Sequence, residues 1–374
     1  MLKFGNVTSG GAKVDKTFLV ITITLIVAGF FIFSSASLGL LAKESSNYSS
    51  IAFSQTVLGL LLGTVAMVTA VRLNFQFWRK TAFYLFVFAI ILNILVLLPS
   101  IGFEHGGARR WIMVAGVSFQ PSEVLKLAFV IYFAAWLASA KDRAKDFRWG
   151  LLPMLVLLGI CGGLLLMQPD TDTFLIIVIT GIAMLISAGG KWRWVFALAL
   201  AGVIGLGFLA YTRPYVRQRI QTFLHPTADS LGASYQIQQS LIAIGSGEMF
   251  GRGFGQSVQK FTYLPEPVGD SIFAVAAEEF GFVGSVLLLA IFLLFATRGL
   301  KVASHTPNAF GRLTIVGLVI MIIAQAFVNI GAMLGVLPLS GITLPFVSHG
   351  GTSLFLSLFE AGIILSISKS QKHS

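Results

Sequence analysis

Thr17-Phe-Leu-Val-Ile-Thr-Ile-Thr-Leu-Ile-Val-Ala-Gly-Phe-Phe-Ile-Phe-Ser-Ser-Ala-Ser-Leu-Gly-Leu40 contains no charged residue. A helix needs roughly 20 predominantly apolar residues to cross the hydrocarbon core of a bilayer. This run is too long for the core of a cleaved signal peptide and lacks a small-residue cleavage site before a soluble domain, so it predicts a membrane span. The remainder of the chain has the same character. Of 374 residues, 56% are hydrophobic and only 11% charged, and the mean hydropathy is +0.87. Such a surface needs lipid as its solvent, which excludes an ordinary soluble domain. The single cysteine, Cys161, sits in another apolar run, which excludes an intrachain disulfide and a thiolate metal cluster.

Outward from the first run, comparable windows recur near 51–71, 81–98, 122–139, 150–167, 171–188, 194–213, 271–297, 311–334 and 346–368. They predict an all-α polytopic membrane protein of about ten transmembrane helices, folded as one membrane domain over 1–374. With the amino terminus in the cytoplasm, the basic residues at 3–16, 72–80, 141–148, 191–193, 298–312 and 369–372 all fall inside. That is the expected positive-inside bias, and an even span count returns the carboxyl terminus to the same side. The net charge of +11 then needs no nucleic acid to explain it. Against the bias, Arg109, Arg110, Arg213, Arg217, Arg219, Arg252 and Lys260 lie outside, together with most of the acids, including Asp229. The chemistry is expected there, above all in the large exoplasmic loop at 214–270, between helices seven and eight.

That loop opens with Tyr235-Gln-Ile-Gln-Gln-Ser240, whose spacing predicts a short amphipathic helix lying on the outer membrane surface. Five glycines follow within Gly245–Gly255. No Gly-Lys-Ser/Thr follows and no strand precedes, so this is not a nucleotide loop. The glycines could let backbone N–H groups approach an anion or sugar, or simply let the chain bend. Pro265 and Pro267 bracket Glu266, and Asp270 stands where loop meets helix. Asp270 could be a helix N-cap and nothing more, since aspartate is among the best residues there. At 100° per residue, Glu278 would share one side of the helix with Asp270 while Glu279 faces away, so Asp270 and Glu278 are expected to face one cavity. Buried acids at 278, 279 and 360 each need a partner or water.

Other motifs are weaker alone. In Gly106-Gly-Ala-Arg-Arg-Trp111, paired arginines suit phosphate oxygens at headgroup level, or serve as snorkelling anchors beside an interfacial tryptophan. In Gln120-Pro-Ser-Glu-Val-Leu-Lys126, proline starts a helix on which Glu123 and Lys126 can neutralise each other or serve function. Gln168-Pro-Asp-Thr-Asp172 reads as an ordinary polar turn, since two acids do not define a cation site. Pro338 to Gly351 breaks a helix at the outer edge and carries His349, whose imidazole could titrate usefully.

Gly107-Ala-Arg-Arg-Trp-Ile112, Gln120-Pro-Ser-Glu123, Gln168-Pro-Asp170, the run from Tyr263 to Gly281 and Leu344-Pro-Phe-Val-Ser-His-Gly-Gly351 together strongly resemble the SEDS family of shape, elongation, division and sporulation proteins. The likeness runs in order along nearly the whole chain. Its details sit nearer the division branch, FtsW, than the elongation branch, RodA. Two departures show: Asp170-Thr-Asp-Thr173 stands where Asp-Leu-Gly-Thr is usual, and His349 replaces a common tyrosine. The resemblance implies a ten-helix polymerase of peptidoglycan glycan strands in a bacterial cytoplasmic membrane. Its substrate would be lipid II, and its partners a class B penicillin-binding protein and other division proteins. It implies that Asp270 is the catalytic carboxylate. Candidate diphosphate contacts are Arg109, Arg110, Lys126 and Lys260, with Arg213 and Arg217 behind them. Trp111, Gln120, Ser122, Glu123, Gln236, Gln239, Ser240, Ser257, Glu266, Glu278 and Ser348 are further candidate substrate contacts. A divalent cation, Mg or Mn, could share the charge, although no ligand set is apparent; no organic cofactor is expected. The rival expectation is a transporter that flips lipid II between leaflets, which should show polar groups through both halves of the membrane.

Overall fold

The computed structural model describes residues 13–42, 48–105, 108–114, 117–227, 232 and 234–371. Lys3, Lys372, Asp229 and the Gly106-Gly107 pair lie outside the described residues. Among the described residues, nine helices are long and apolar enough to cross a membrane. In chain order the first three are α1 (Lys16–Ala42), α2 (Tyr48–Arg72) and α3 (Phe75–Leu97). Next come α4 (Pro121–Ala140) and α5 (Leu152–Met167). The tenth expected span is the shorter apolar helix α6 (Thr171–Ser187), followed by the full-length α7 (Trp192–Thr212). Two helices, α8 (Pro214–Leu224) and α9 (Tyr235–Ser246), form a cap in the segment that follows α7. The chain ends with α10 (Ile272–Ser304), α11 (Ala309–Met333) and α12 (Gly351–Ser368). Local chemistry sets several starts. Asn74 and Asn308 accept from backbone N–H groups at the heads of α3 and α11, Asp170 caps α6, and Pro121 opens α4.

The most deeply buried helices are α4, α11 and α12, with the others arranged around them. In α7, by contrast, only Trp194 is buried. The termini meet at one end, where Arg298 of α10 grips both carboxylate oxygens of Asp15 (3.0 and 2.7 Å) and Ser368 Oγ accepts from the Asp15 amide. At the opposite end, the Thr352 hydroxyl donates to the Ser118 carbonyl.

The all-α polytopic fold holds, with one small addition. Between α3 and α4 the chain forms a small antiparallel sheet, β1 (Gly102–His105), β2 (Ala108–Val114) and β3 (Val117–Phe119). Ile112 stands opposite Gly102 on one side and Phe119 on the other. Strands this short carry too little alternation to stand out beside long apolar windows. The other unforeseen feature is in α10, which kinks at Gly281 (φ +65°). The glycine-rich segment fills the break: Phe282 N donates to Glu248 O and Val283 N to Met249 O, while Arg252 N and Gly253 N donate to Glu278 O and Glu279 O. At Gly251 (φ +80°) a Cβ would lie 2.1 Å from the Glu279 carbonyl oxygen, so only glycine permits this clasp. These glycines bind the loop to its own helix rather than cradling an anion.

Candidate active site

Asp270 is held from three directions. Asn329 of α11 donates to its carbonyl at 2.8 Å, and the Ser348 hydroxyl donates to the Gly269 carbonyl at 2.7 Å. The His349 amide donates to Val268 O. From α9, Gln236 Nε2 donates to Asp270 Oδ2 at 3.1 Å and to Ser271 Oγ at 3.0 Å. The other carboxylate oxygen, Oδ1, has only a 3.5 Å contact with Ser271 Oγ. Asp270 is not the helix cap: Ser271 holds the N-cap position of α10.

The carboxylate lines a cleft of about 400 Å³ at the end of the bundle that carries the sheet. Arg110 of β2, Pro169 of the α5–α6 turn, one face of α8 and the Leu339-Ser-Gly341 segment complete its walls. Tyr215, Gln218, Arg219 and Thr222 supply the α8 wall, at the i, i+3, i+4, i+7 spacing of one helical face. Arg110 donates from Nε to the Gln168 carbonyl at 3.1 Å and from Nη2 to Pro169 O. Both acceptors are neutral, and among the described residues Arg110 makes no ion pair. Arg219 pairs with Asp172 at 2.7 Å. Burial pushes the Asp270 carboxyl up to about 6; the Gln236 hydrogen bond opposes the rise and the charge of Glu266 adds to it. Burial also raises the Tyr215 phenol.

Of the expected contacts, the cleft gathers Arg110, Gln236 and Asp270. Arg109 pairs with Glu104 at 3.0 Å outside it, because adjacent strand residues point to opposite faces. Trp111, Gln120, Gln239 and Glu266 are absent from the lining, as are the exposed Arg213 and Arg217. Other candidates are buried in the framework. Lys126 is buried against Glu123 at 2.8 Å and bonds Gln325 Oε1, so this pair does neutralise itself. Ser122 is buried, and Ser240 donates to the Gln236 carbonyl one turn back in α9. Ser348 is a buried backbone tie.

Glu278 does not share the cleft with Asp270. It accepts from Ser257 Oγ at 2.6 Å and from the amides of Val258 and Gln259. Lys260 is fully buried, 2.5 Å from Glu279 Oε1 and 2.9 Å from Ser35 Oγ. Ser257, Lys260 and Glu278 therefore staple the loop to α10 and α1. The angular projection failed because α10 begins at Ile272, so Asp270 is not on the helix. His349 is also buried, which depresses its imidazole to about 4 and keeps it neutral near pH 7. Among the described residues, no three His, Cys, Asp or Glu side chains form a metal-binding group. Among the described residues, Asp270 is the one acid lining the cleft, and Asp172 beside it is engaged by Arg219. This donor set does not by itself make a divalent-cation cage, and no chemical step is assigned to one.

A bundle with nine candidate membrane spans and one shorter apolar helix among the described residues, and a carboxylate and two guanidinium groups in a cleft at one end, defines a class of polytopic membrane protein. The chain belongs to the FtsW/RodA/SpoVE family: the family model, described as "Cell cycle protein", matches residues 16–373. It is 37% identical to stage V sporulation protein E of Bacillus subtilis (strain 168), covering 96% of this chain and 98% of that protein. It is also 37% identical to the "Probable peptidoglycan glycosyltransferase FtsW" of Geobacter sp. (strain M18), covering 95% and 96% of the two chains. Among solved structures, one described as structural coordination of polymerization and crosslinking by a peptidoglycan synthase complex superposes with a TM-score of 0.76. The identity is 28%, and 96% of this chain and 99% of that chain are covered. The rod shape determining protein RodA of Thermus thermophilus gives 0.67 at 27% identity, covering 96% and 98%.

Proposed function

We propose that this chain is a peptidoglycan glycosyltransferase that polymerises lipid II at the outer face of a bacterial cytoplasmic membrane, with both termini inside. The observation that carries this reading is the cleft itself, with Asp270 opposite Arg110 and Arg219. The reaction joins an acceptor sugar hydroxyl to an anomeric carbon whose leaving group is a polyprenyl diphosphate. Asp270 Oδ1 takes the hydroxyl proton as the new C–O bond forms, while Gln236 holds Oδ2. The bond to the diphosphate breaks, and the two guanidinium groups offset the charge that develops there. Direct attack inverts the anomeric centre. The chain acts beside a class B penicillin-binding protein and other division proteins, a pairing supported by likeness to a complex that coordinates polymerization with crosslinking.

The transporter reading gains no observation of its own. Glu123 and Lys126, buried at the head of α4, are paired with each other as structural groups are. The test is glycan-strand synthesis from lipid II by the purified chain with and without its transpeptidase partner. Arg110→Ala and Arg219→Ala should each slow it at least tenfold. Strand synthesis at the parental rate in both variants would overturn the assignment of the diphosphate site.

A further inference from the structure

The connection between α4 and α5 is more elaborately built than a simple turn. Residues Lys141–Lys145 form a 3-10 turn and Phe147–Leu151 a wide π turn. Lys141 enters with φ +51°, a left-handed conformation that persists in a non-glycine residue only where its surroundings over-determine it. Trp136 of α4 and Trp149 of the turn stack with ring centres 6.2 Å apart and planes 23° apart. The Trp136 indole N–H donates to the Trp149 carbonyl at 3.0 Å, and the Arg143 guanidinium lies 5.6 Å from the Trp149 ring centre. An ordinary interfacial tryptophan needs none of these ties.

Two cavities meet at this stacked pair. One, of about 420 Å³, is lined by Ser139, Lys141, Asp142 and Arg143. The other, of about 380 Å³, runs down the bundle along Tyr132, Arg148, Leu152, Pro153 and Val156. The first is cationic and the second largely apolar. Lys141, Arg143, Lys145 and Arg148 are exposed, and none makes an ion pair among the described residues. Asp142 and Asp146 offset only part of their charge. Leu152 and Val156 stay 40% and 54% exposed in the apolar cavity's wall, a surface that a small soluble anion would leave uncovered. The fold sets which end of the bundle this turn occupies, and in the orientation proposed above that end is cytoplasmic. The sheet and the start of α12 share the outer end, whereas Ser368, which ends α12, meets Asp15. Since α4 begins directly after the sheet, its last residue and this turn lie at the end that carries the termini.

We propose that this turn binds one anionic glycerophospholipid of that leaflet. Its phosphate would lie against Lys141, Arg143 and Arg148, and an acyl chain would run along Leu152 and Val156 between α4 and α5. Basic pockets between membrane helices on the cytoplasmic side recognise such headgroups by charge, and the adjoining groove distinguishes a lipid from free phosphate.

The probe is phosphatidylglycerol, with phosphatidylcholine of matched chains as the uncharged comparison, added to the delipidated full chain and read by native mass spectrometry. The chain should retain one phosphatidylglycerol at least tenfold more tightly than phosphatidylcholine. Arg143→Gln combined with Arg148→Gln should lose about tenfold or more of that preference. Val156→Trp, which fills the groove but leaves the cations, should also weaken retention. Glycerol phosphate at equal concentration should not displace the lipid. Equal retention of the two lipids by the parental chain overturns the proposal, whatever the variants do. Full displacement by glycerol phosphate, or unchanged phosphatidylglycerol retention in the double variant, would overturn it as well. Melting temperatures in phosphatidylcholine vesicles identify a variant that has simply failed to fold.

Discussion

Asp270 combines a raised pKa with one oxygen fixed and the other available, as a general base requires. The base acts when ionised. With its carboxyl at about 6, activity should fall as pH drops below about 6, well above the range of an ordinary exposed aspartate near 4. Gln236 opposes that rise, so Gln236→Met, which keeps size and removes the donor, should move the acidic limb to higher pH. A merely structural role would lower the rate equally at every pH; kcat/KM measured from pH 5 to 9 separates the two. The residue level also shows where sequence reasoning ran out. Asp270 was readable because prolines, acids and a helix start converge on it. Arg219 was not singled out because it looks like Arg213 and Arg217. Its membership in the Tyr215, Gln218, Arg219, Thr222 face was the available signal, and the off-face Arg213 and Arg217 are exposed.

At the level of elements, the outer loop is held to α10 by buried charge. Removing Lys260 alone leaves Glu279 buried without its cation, which typically costs about 3–5 kcal/mol. Lys260→Met should therefore sharply lower the melting temperature, and Lys260→Met with Glu279→Gln should recover much of the loss. If Lys260→Met instead keeps its stability and weakens substrate use, the residue belongs to the site after all. At the other end, burial would raise the Asp15 carboxyl. The Arg298 hydrogen bond, the Phe18 amide and the charges of Arg298 and Lys301 outweigh this and lower it. A depressed carboxyl stabilises the fold above its unfolded pKa and loses that contribution as pH falls through the folded value. Stability should thus decline in acid, with Asp15→Ala showing less of that decline in detergent melts. Hydropathy made most spans readable to within a few residues, although α10 runs on to Ser304, past the expected 297, and α12 starts only at Gly351. The kink at Gly281 was not, because a single glycine in a long apolar run looks like a tolerated helix residue. Nor was the three-stranded sheet, too short to compete with its apolar neighbours.

For the whole molecule, the proposed function requires the cap and its cleft to face the lipid II disaccharide, so their side of the membrane matters most. Ser257 is buried and cannot report it, but Gln256 is exposed in the same loop. A cysteine at Gln256 should react with an impermeant thiol reagent in intact cells, while Cys161, buried in α5, should stay silent. Labelling only after permeabilisation would invert the bundle and remove the cleft from the lipid II disaccharide. The central claim is that a carboxylate in this cleft drives strand growth. Because Ser271, not Asp270, holds the N-cap position of α10, Asp270→Asn removes no cap, and its amide oxygen can still accept from Gln236. The direct measurement is the lipid II polymerisation rate of Asp270→Asn, purified with its transpeptidase and shown to melt like the parent. The account predicts a fall of about 100- to 10,000-fold, the usual worth of general-base assistance. Strand synthesis within a few-fold of the parental rate would contradict it.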